Sequence, residues 1–142
     1  DNTNTDKDNT NTDKDNEPPL IKIGKKFTYK GYKYKIIKTD EVSLIGTTKK
    51  KGDKKFKNLS IANTVKYDGL TFKVTSIGSK AFKDYKYIKK VTIPSNITSI
   101  EKQAFYKCKN IKSIVIKSNK LKNIKNKAFA SINKKAETIK NI

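Results

Sequence analysis

Eight apolar positions of residues 74–96 return 23 residues later. Val74, Ile77, Ala81, Phe82, Tyr85, Ile88, Val91 and Ile93 are answered by Ile97, Ile100, Ala104, Phe105, Cys108, Ile111, Ile114 and Ile116. Ser95-Asn96 likewise recurs as Ser118-Asn119. A third copy opens with Leu121, Ile124, Ala128, Phe129 and Ile132, now 24 residues on, and then decays through the segment NKKAETIKNI. The extra residue falls between Ile116 and Leu121, most simply Lys120 in a turn. A fixed period of this size marks a solenoid, because one unit cannot bury its apolar side alone and must stack on a neighbour.

A partial copy stands upstream. Leu59, Ile61, Asn63 and Val65 align with Val91, Ile93, Ser95 and Ile97 at a separation of 32, which is the period plus nine. The surplus falls around residues 66–73, where Asp68-Gly69 lies between the alternating pairs Val65/Tyr67 and Leu70/Phe72. That arrangement is a two-residue hairpin signal. Lys30-Gly31 gives a second one, so residues 20–58 are expected to form a β-hairpin or meander that caps the solenoid. The expected domains are a spacer over 1–19, this cap over 20–58, and the repeats over 59–142.

The repeat resembles the BspA-like leucine-rich repeat of bacterial surface proteins. Ile77, Ala81-Phe82, Tyr85, Ile88, Val91, Ile93-Pro94 and Ile97-Ile100 follow that family's unit. In the second copy Cys108 stands at the family's cysteine place, while Lys117 replaces its proline. The resemblance implies a mainly β fold with short helical or 3-10 turns, wound as a right-handed leucine-rich-repeat solenoid of 23–24-residue units. It also implies a secreted or surface-attached protein that binds other molecules without catalysis.

Charge sets the partner class. Lysine supplies every basic charge, and the formal net charge is +21. Residues 1–19 carry six acids against two lysines. The remainder holds the other 32 lysines and seven acids, a surplus of +25 that draws in polyanions. A genome biased toward lysine would give the same composition without a ligand. Residues 1–19 repeat DNTNTDK, contain no apolar residue and end in Pro18-Pro19. Such a sequence cannot offset the entropy of ordering, and as a coil it spans roughly 25 Å. It reads as an acidic spacer between a folded head and an anchor, with any export signal lying outside these residues.

Catalysis finds little material here. The chain has no His, which removes Ser/His/Asp and Cys/His nucleophilic systems and one of the usual zinc ligands. Glycines form no phosphate-cradling loop, and Asp40-Glu41, the one adjacent acid pair of the body, points to opposite faces of a strand. No cofactor or metal is expected. Cys108 reads as a small buried filler rather than a reactive thiol.

Binding is therefore the expected activity, and the strand face its expected seat. With Ile88, Val91 and Ile93 inward, Lys89, Lys90 and Thr92 face out. In the next copy Lys112, Ser113 and Val115 do the same. A second candidate is the polyanion-binding loop of Lys49, Lys50, Lys51, Lys54 and Lys55. A solvated face with no partner is the plain alternative for both. The expected partner is a host or neighbouring-cell protein, or an anionic glycan or wall polymer. Other readings are a docking module of a larger secreted enzyme and a nonspecific nucleic-acid binder. Lacking Arg, the chain would not read DNA sequence well. No polar cap closes the last copy, which predicts weak self-association through the C-terminal coil.

Overall fold

The computed structural model describes residues 20–140, and the expected acidic spacer over 1–19 lies outside them. Among the described residues, eleven strands form two sheets. β1 (Lys26–Tyr29), β2 (Tyr32–Lys38), β3 (Glu41–Thr47), β5 (Thr64–Tyr67), β6 (Leu70–Ile77), β8 (Ser99–Ile100) and β10 (Asn123–Ile124) make the first. β4 (Asn58–Ser60), β7 (Lys90–Ile93), β9 (Ser113–Ile116) and β11 (Glu137–Lys140) make the second.

Turn chemistry builds the first sheet. Lys30-Gly31 joins β1 to β2 and Asp68-Gly69 joins β5 to β6, with φ of 50° and 85° at the first turn and 52° and 76° at the second. Two successive positive φ values are what a tight hairpin requires, and glycine meets the second at no steric cost. β3 then lies parallel to β6, so the hairpin strands and the repeat strands share one sheet in the order β1-β2-β3-β6-β8-β10.

The repeat appears as register. Leu59 pairs with Val91, Val91 with Ile114 and Ile114 with Thr138, all parallel. In the first sheet Ile77 pairs with Ile100, and Ile100 with Ile124. Each coil thus contributes one strand to each sheet, and the inward residues Ile77, Ile88, Val91, Ile93, Ile100, Ile111, Ile114 and Ile116 are buried between them. β11 corrects the impression that the third copy dissolves after Ile132. Its inward position opposite Ile114 is Thr138, so apolar alternation fails there while backbone pairing continues.

Between the two strands of a coil runs the Ala-Phe segment. Expected as a short helical or 3-10 turn, it is instead a chain of separate turns, and no helix occurs among the described residues. The reason lies in φ. Lys80 and Asp84, Gln103 and Lys107, and Lys127 and Ser131 all have φ between 58° and 67°. A left-handed residue at every fourth position breaks any right-handed run. The freed backbone groups bond to the next coil: Phe82 N–H donates to Ala104 C=O and Phe105 N–H to Ala128 C=O, both at 2.7 Å. Alanine leaves room for that approach. Beneath this ladder Phe82, Phe105 and Phe129 stack at centroid distances of 5.5 and 5.0 Å, with their ring planes nearly parallel. Tyr85 meets Phe82 edge-on, and Phe56 meets Tyr85 edge-on, which extends the aromatic spine toward the N-terminal end.

The hairpin strands also explain Gly78. Its N–H donates to Leu44 C=O at 2.7 Å, and an added methyl would meet Ile45 Cγ2 at 3.2 Å and Leu44 O and Ser43 Oγ at 3.3 Å. Later copies carry Glu101 and Lys125 at the same place, where β3 no longer crowds them. Gly78→Ala is expected to lower stability by about 1–3 kcal/mol through overpacking, read from urea unfolding.

Candidate binding face

The outward side of the second sheet is built by the pairing itself. Asn58, Lys90, Ser113 and Glu137 form one row, and Ser60, Thr92, Val115 and Ile139 form the next. Lys89 and Lys112 stand one residue before their strands. There Lys89 N–H donates to Lys57 C=O and Lys112 N–H donates to Lys89 C=O, so Lys57, Lys89 and Lys112 line up across three coils. All three are exposed, as is Lys90, while Thr92, Ser113 and Val115 are half-buried. The six residues singled out from the sequence therefore occupy one side of the stack. Lys57, Asn58, Ser60, Glu137 and Ile139 are additions. Glu137 and Ile139 escaped notice because their strand lacks apolar alternation, and Lys57, which ends the lysine-rich stretch 49–57, has its place on this face hidden by the irregular first coil.

Positive charge is crowded on this side. Adjacent strands lie about 4.8 Å apart. At that distance two ammonium groups repel by about 1 kcal/mol even in bulk water, so the lysine row must splay or gather counter-charge. Among the body's acids, Asp40, Glu41 and Glu101 are already within 4.0 Å of Lys73, Lys38 and Lys125 respectively. Glu137 is the acid that shares the outward row with Lys90. At the end of the rows, Ser60, Asn63, Thr92, Ser95 and Lys117 border a shallow cavity of about 300 Å³. Asn63 Oδ1 there accepts the backbone N–H of Asn96 at 2.9 Å.

The lysine loop is a second, separate feature. Lys49 lies over the Phe56 ring at 4.8 Å, and its carbonyl accepts the Tyr85 hydroxyl at 2.8 Å. These contacts tie the loop to the aromatic spine. Lys50, Lys51, Lys54 and Lys55 are exposed, and Asp53 caps the turn by accepting Lys55 N–H at 2.9 Å. Thr48, Lys49, Lys50, Gly52 and Asp53 border a wide cleft of about 530 Å³. One acid thus sits among the loop's five lysines.

Residues 49–141 match the BspA type leucine rich repeat region in six copies. The chain belongs to this family. The matched span begins at Lys49, so it takes in the lysine loop and Phe56 as well as the later coils. Three solved structures place the BspA-type fold among known proteins. A leucine-rich cell surface protein from Faecalibacterium prausnitzii aligns with a TM-score of 0.65 and 24% identity, over 82% of this chain and 30% of its own. A leucine-rich repeat protein from Bacteroides capillosus aligns with a TM-score of 0.59 and 18% identity, over 82% of this chain and 99% of its own. The pneumococcal vaccine antigen PcpA aligns with a TM-score of 0.52 and 19% identity, over 85% of this chain and 47% of its own. The chain thus spans less than half the length of the first and third of these. No curated protein matches it as a relative.

The single cysteine of this BspA-type stack is buried. Cys108 Sγ–H donates to Phe82 C=O at 3.0 Å, and burial pushes its pKa up to about 12. At neutral pH that sulfur stays a thiol and fills the core. Among the described residues no three of His, Cys, Asp and Glu come together to hold a metal.

Proposed function

We propose that this chain is a non-catalytic binding module, displayed outside the cell or on its surface, that holds an acidic protein or anionic glycan along the outward side of its second sheet. One observation carries the reading: Lys57, Lys89 and Lys112 align across three coils beside Lys90. A partner with regularly spaced negative charge would meet several of these lysines at once, and release of its counterions would drive binding. The description of the Faecalibacterium neighbour as a cell surface protein supports display outside the cell. That the chain spans 30% of that neighbour also supports a second reading, a docking module within a larger secreted protein.

The test is binding of the chain to heparin, teichoic acid and duplex DNA across a salt series. Lys89, Lys90 and Lys112 are changed together to Gln, and a control chain loses the same charge at the exposed Lys22, Lys25 and Lys66. The face variant is expected to lower affinity for the preferred polymer by roughly tenfold or more, with a salt slope shallower by about 2–3. The control should stay near the parent. Equal losses in both variants would mean that lysine acts as diffuse charge, and the assignment to this face would fail.

A further inference from the structure

β4 is the terminal strand of the second sheet. Lys57 C=O accepts from Lys89 and Lys90, and Ile61 N–H donates to Thr92 C=O, so residues 57, 59 and 61 turn their backbone groups toward β7. By strand alternation Asn58 and Ser60 turn theirs the other way. Both residues are exposed, and among the described residues no hydrogen bond occupies these outward N–H and C=O groups. Beside this edge opens a cavity of about 200 Å³. Tyr29, Tyr32, Tyr34 and Leu44 of the first sheet form one wall, and Ser60 and Ala62 the other. It is smaller than the ~300–1,000 Å³ that small-molecule sites occupy, and suits a single aromatic or branched side chain.

We infer that this edge and pocket form a peptide-docking site, in which an extended acidic segment of a partner protein adds as a strand to β4 and seats one apolar side chain among the three tyrosines. Strand addition supplies affinity through backbone hydrogen bonds and specificity through pockets for alternate side chains, and both elements are present here. Charge selects the partner. Lys30 borders the pocket, with its Nζ 5.3 Å from the Tyr29 centroid, and Lys57 flanks the edge, while no acid lines the cavity. A second copy of this chain would bring its own +25 of body charge to the same edge and be repelled, whereas an acidic strand is attracted. The site borders the lysine face at Lys57, Asn58 and Ser60 but uses none of Lys89, Lys90 and Lys112, and its free backbone edge and tyrosine pocket do not rest on the lysine-face reading.

The experiment is selection of a phage-displayed random peptide library on the whole chain at physiological salt, followed by binding of the synthetic winners. Expected winners are rich in Asp and Glu around one aromatic or branched residue. Ser60→Pro removes one edge donor at a position where an edge strand tolerates proline, and should weaken the winners by about tenfold or more. Ala62→Leu, which fills the pocket mouth, should do the same. N-methylation of the peptide backbone gives the equivalent test on the unaltered protein, and bound peptide should slow hydrogen exchange at Asn58 and Ser60. The lysine-face variant should retain the preference for sequences with the apolar anchor, which separates this site from that one. A selection without binders, or winners indifferent to both Ser60→Pro and N-methylation, would overturn the proposal. Protected Asn58 and Ser60 amides without peptide, with a mass that doubles on concentration, would overturn it in favour of self-association.

Discussion

Phe105→Ala should cost about 3–5 kcal/mol of folding stability, the range for truncating a fully buried aromatic residue. Phe105 has no exposed surface and is stacked on both sides, by Phe82 at 5.5 Å and Phe129 at 5.0 Å. Removing the ring opens a cavity between two coils and breaks both stacks, each of which contributes about 0.5–1.5 kcal/mol beyond area. The surrounding backbone cannot close the gap, because Phe82 N–H and Phe105 N–H are held at 2.7 Å by the carbonyls of the next coil. Small domains have about 5–15 kcal/mol in total, so this one change consumes much of it. Phe129→Ala, at the half-buried end of the spine, should cost less than half as much. Urea unfolding of the two variants checks both the size and the order. A loss at Phe105 below about 1 kcal/mol would mean that the spine does not bind the coils together.

Alkaline pH should loosen the fold through two buried groups. Tyr34 is 2% exposed, and burial together with the neighbouring Tyr32 and Tyr29 pushes its pKa up to about 12. Cys108 is likewise raised to about 12 by burial. In the unfolded chain these groups ionise near their ordinary values of 10.0 and 9.0. Between those values and about 12 the unfolded state has lost protons that the folded state keeps, so stability falls as pH rises. Each group makes the folded-to-unfolded ratio drop by about tenfold per pH unit inside its window, and about a hundredfold where the windows overlap. The stability they contribute is fully present below pH 9. A Tyr34→Phe, Cys108→Ala chain should keep a flatter profile from pH 9 to 12 than the parent, even if it starts lower. Comparing the two chains at each pH removes whatever the many lysines contribute to both. Parallel profiles would show that the two groups are not held neutral by the fold.

How far these features were legible depends on which level of structure carried them. The 23-residue recurrence fixes which residues face inward, because a stacked coil presents the same positions to its neighbours. Phe82, Phe105 and Ile100 accordingly sit in the core. Asp68-Gly69 announces its own turn through glycine's tolerance of positive φ. The conformation of the Ala-Phe segment was hidden, since lysine and glutamine at Lys80, Gln103 and Lys107 give no sign of a left-handed backbone. Phe56 was obscure for another reason: its loop has no periodicity, and only tertiary packing brings it against Tyr85. The outward rows followed from alternation wherever the inward residues are apolar. They stopped at β11, where Thr138 takes an apolar place. The tyrosine pocket combines hairpin residues 29–34 with strand residues about 30 positions later, a proximity that no local pattern encodes.

Residue-resolved chemical-shift mapping of the whole chain with the preferred anionic polymer, at physiological salt, tests the central claim most directly. Shifts concentrated on Lys57, Lys89, Lys90, Lys112 and Ser113, absent from Lys22, Lys25 and Lys66, are the predicted result. Shifts spread evenly over exposed lysines on every side of the stack would contradict it.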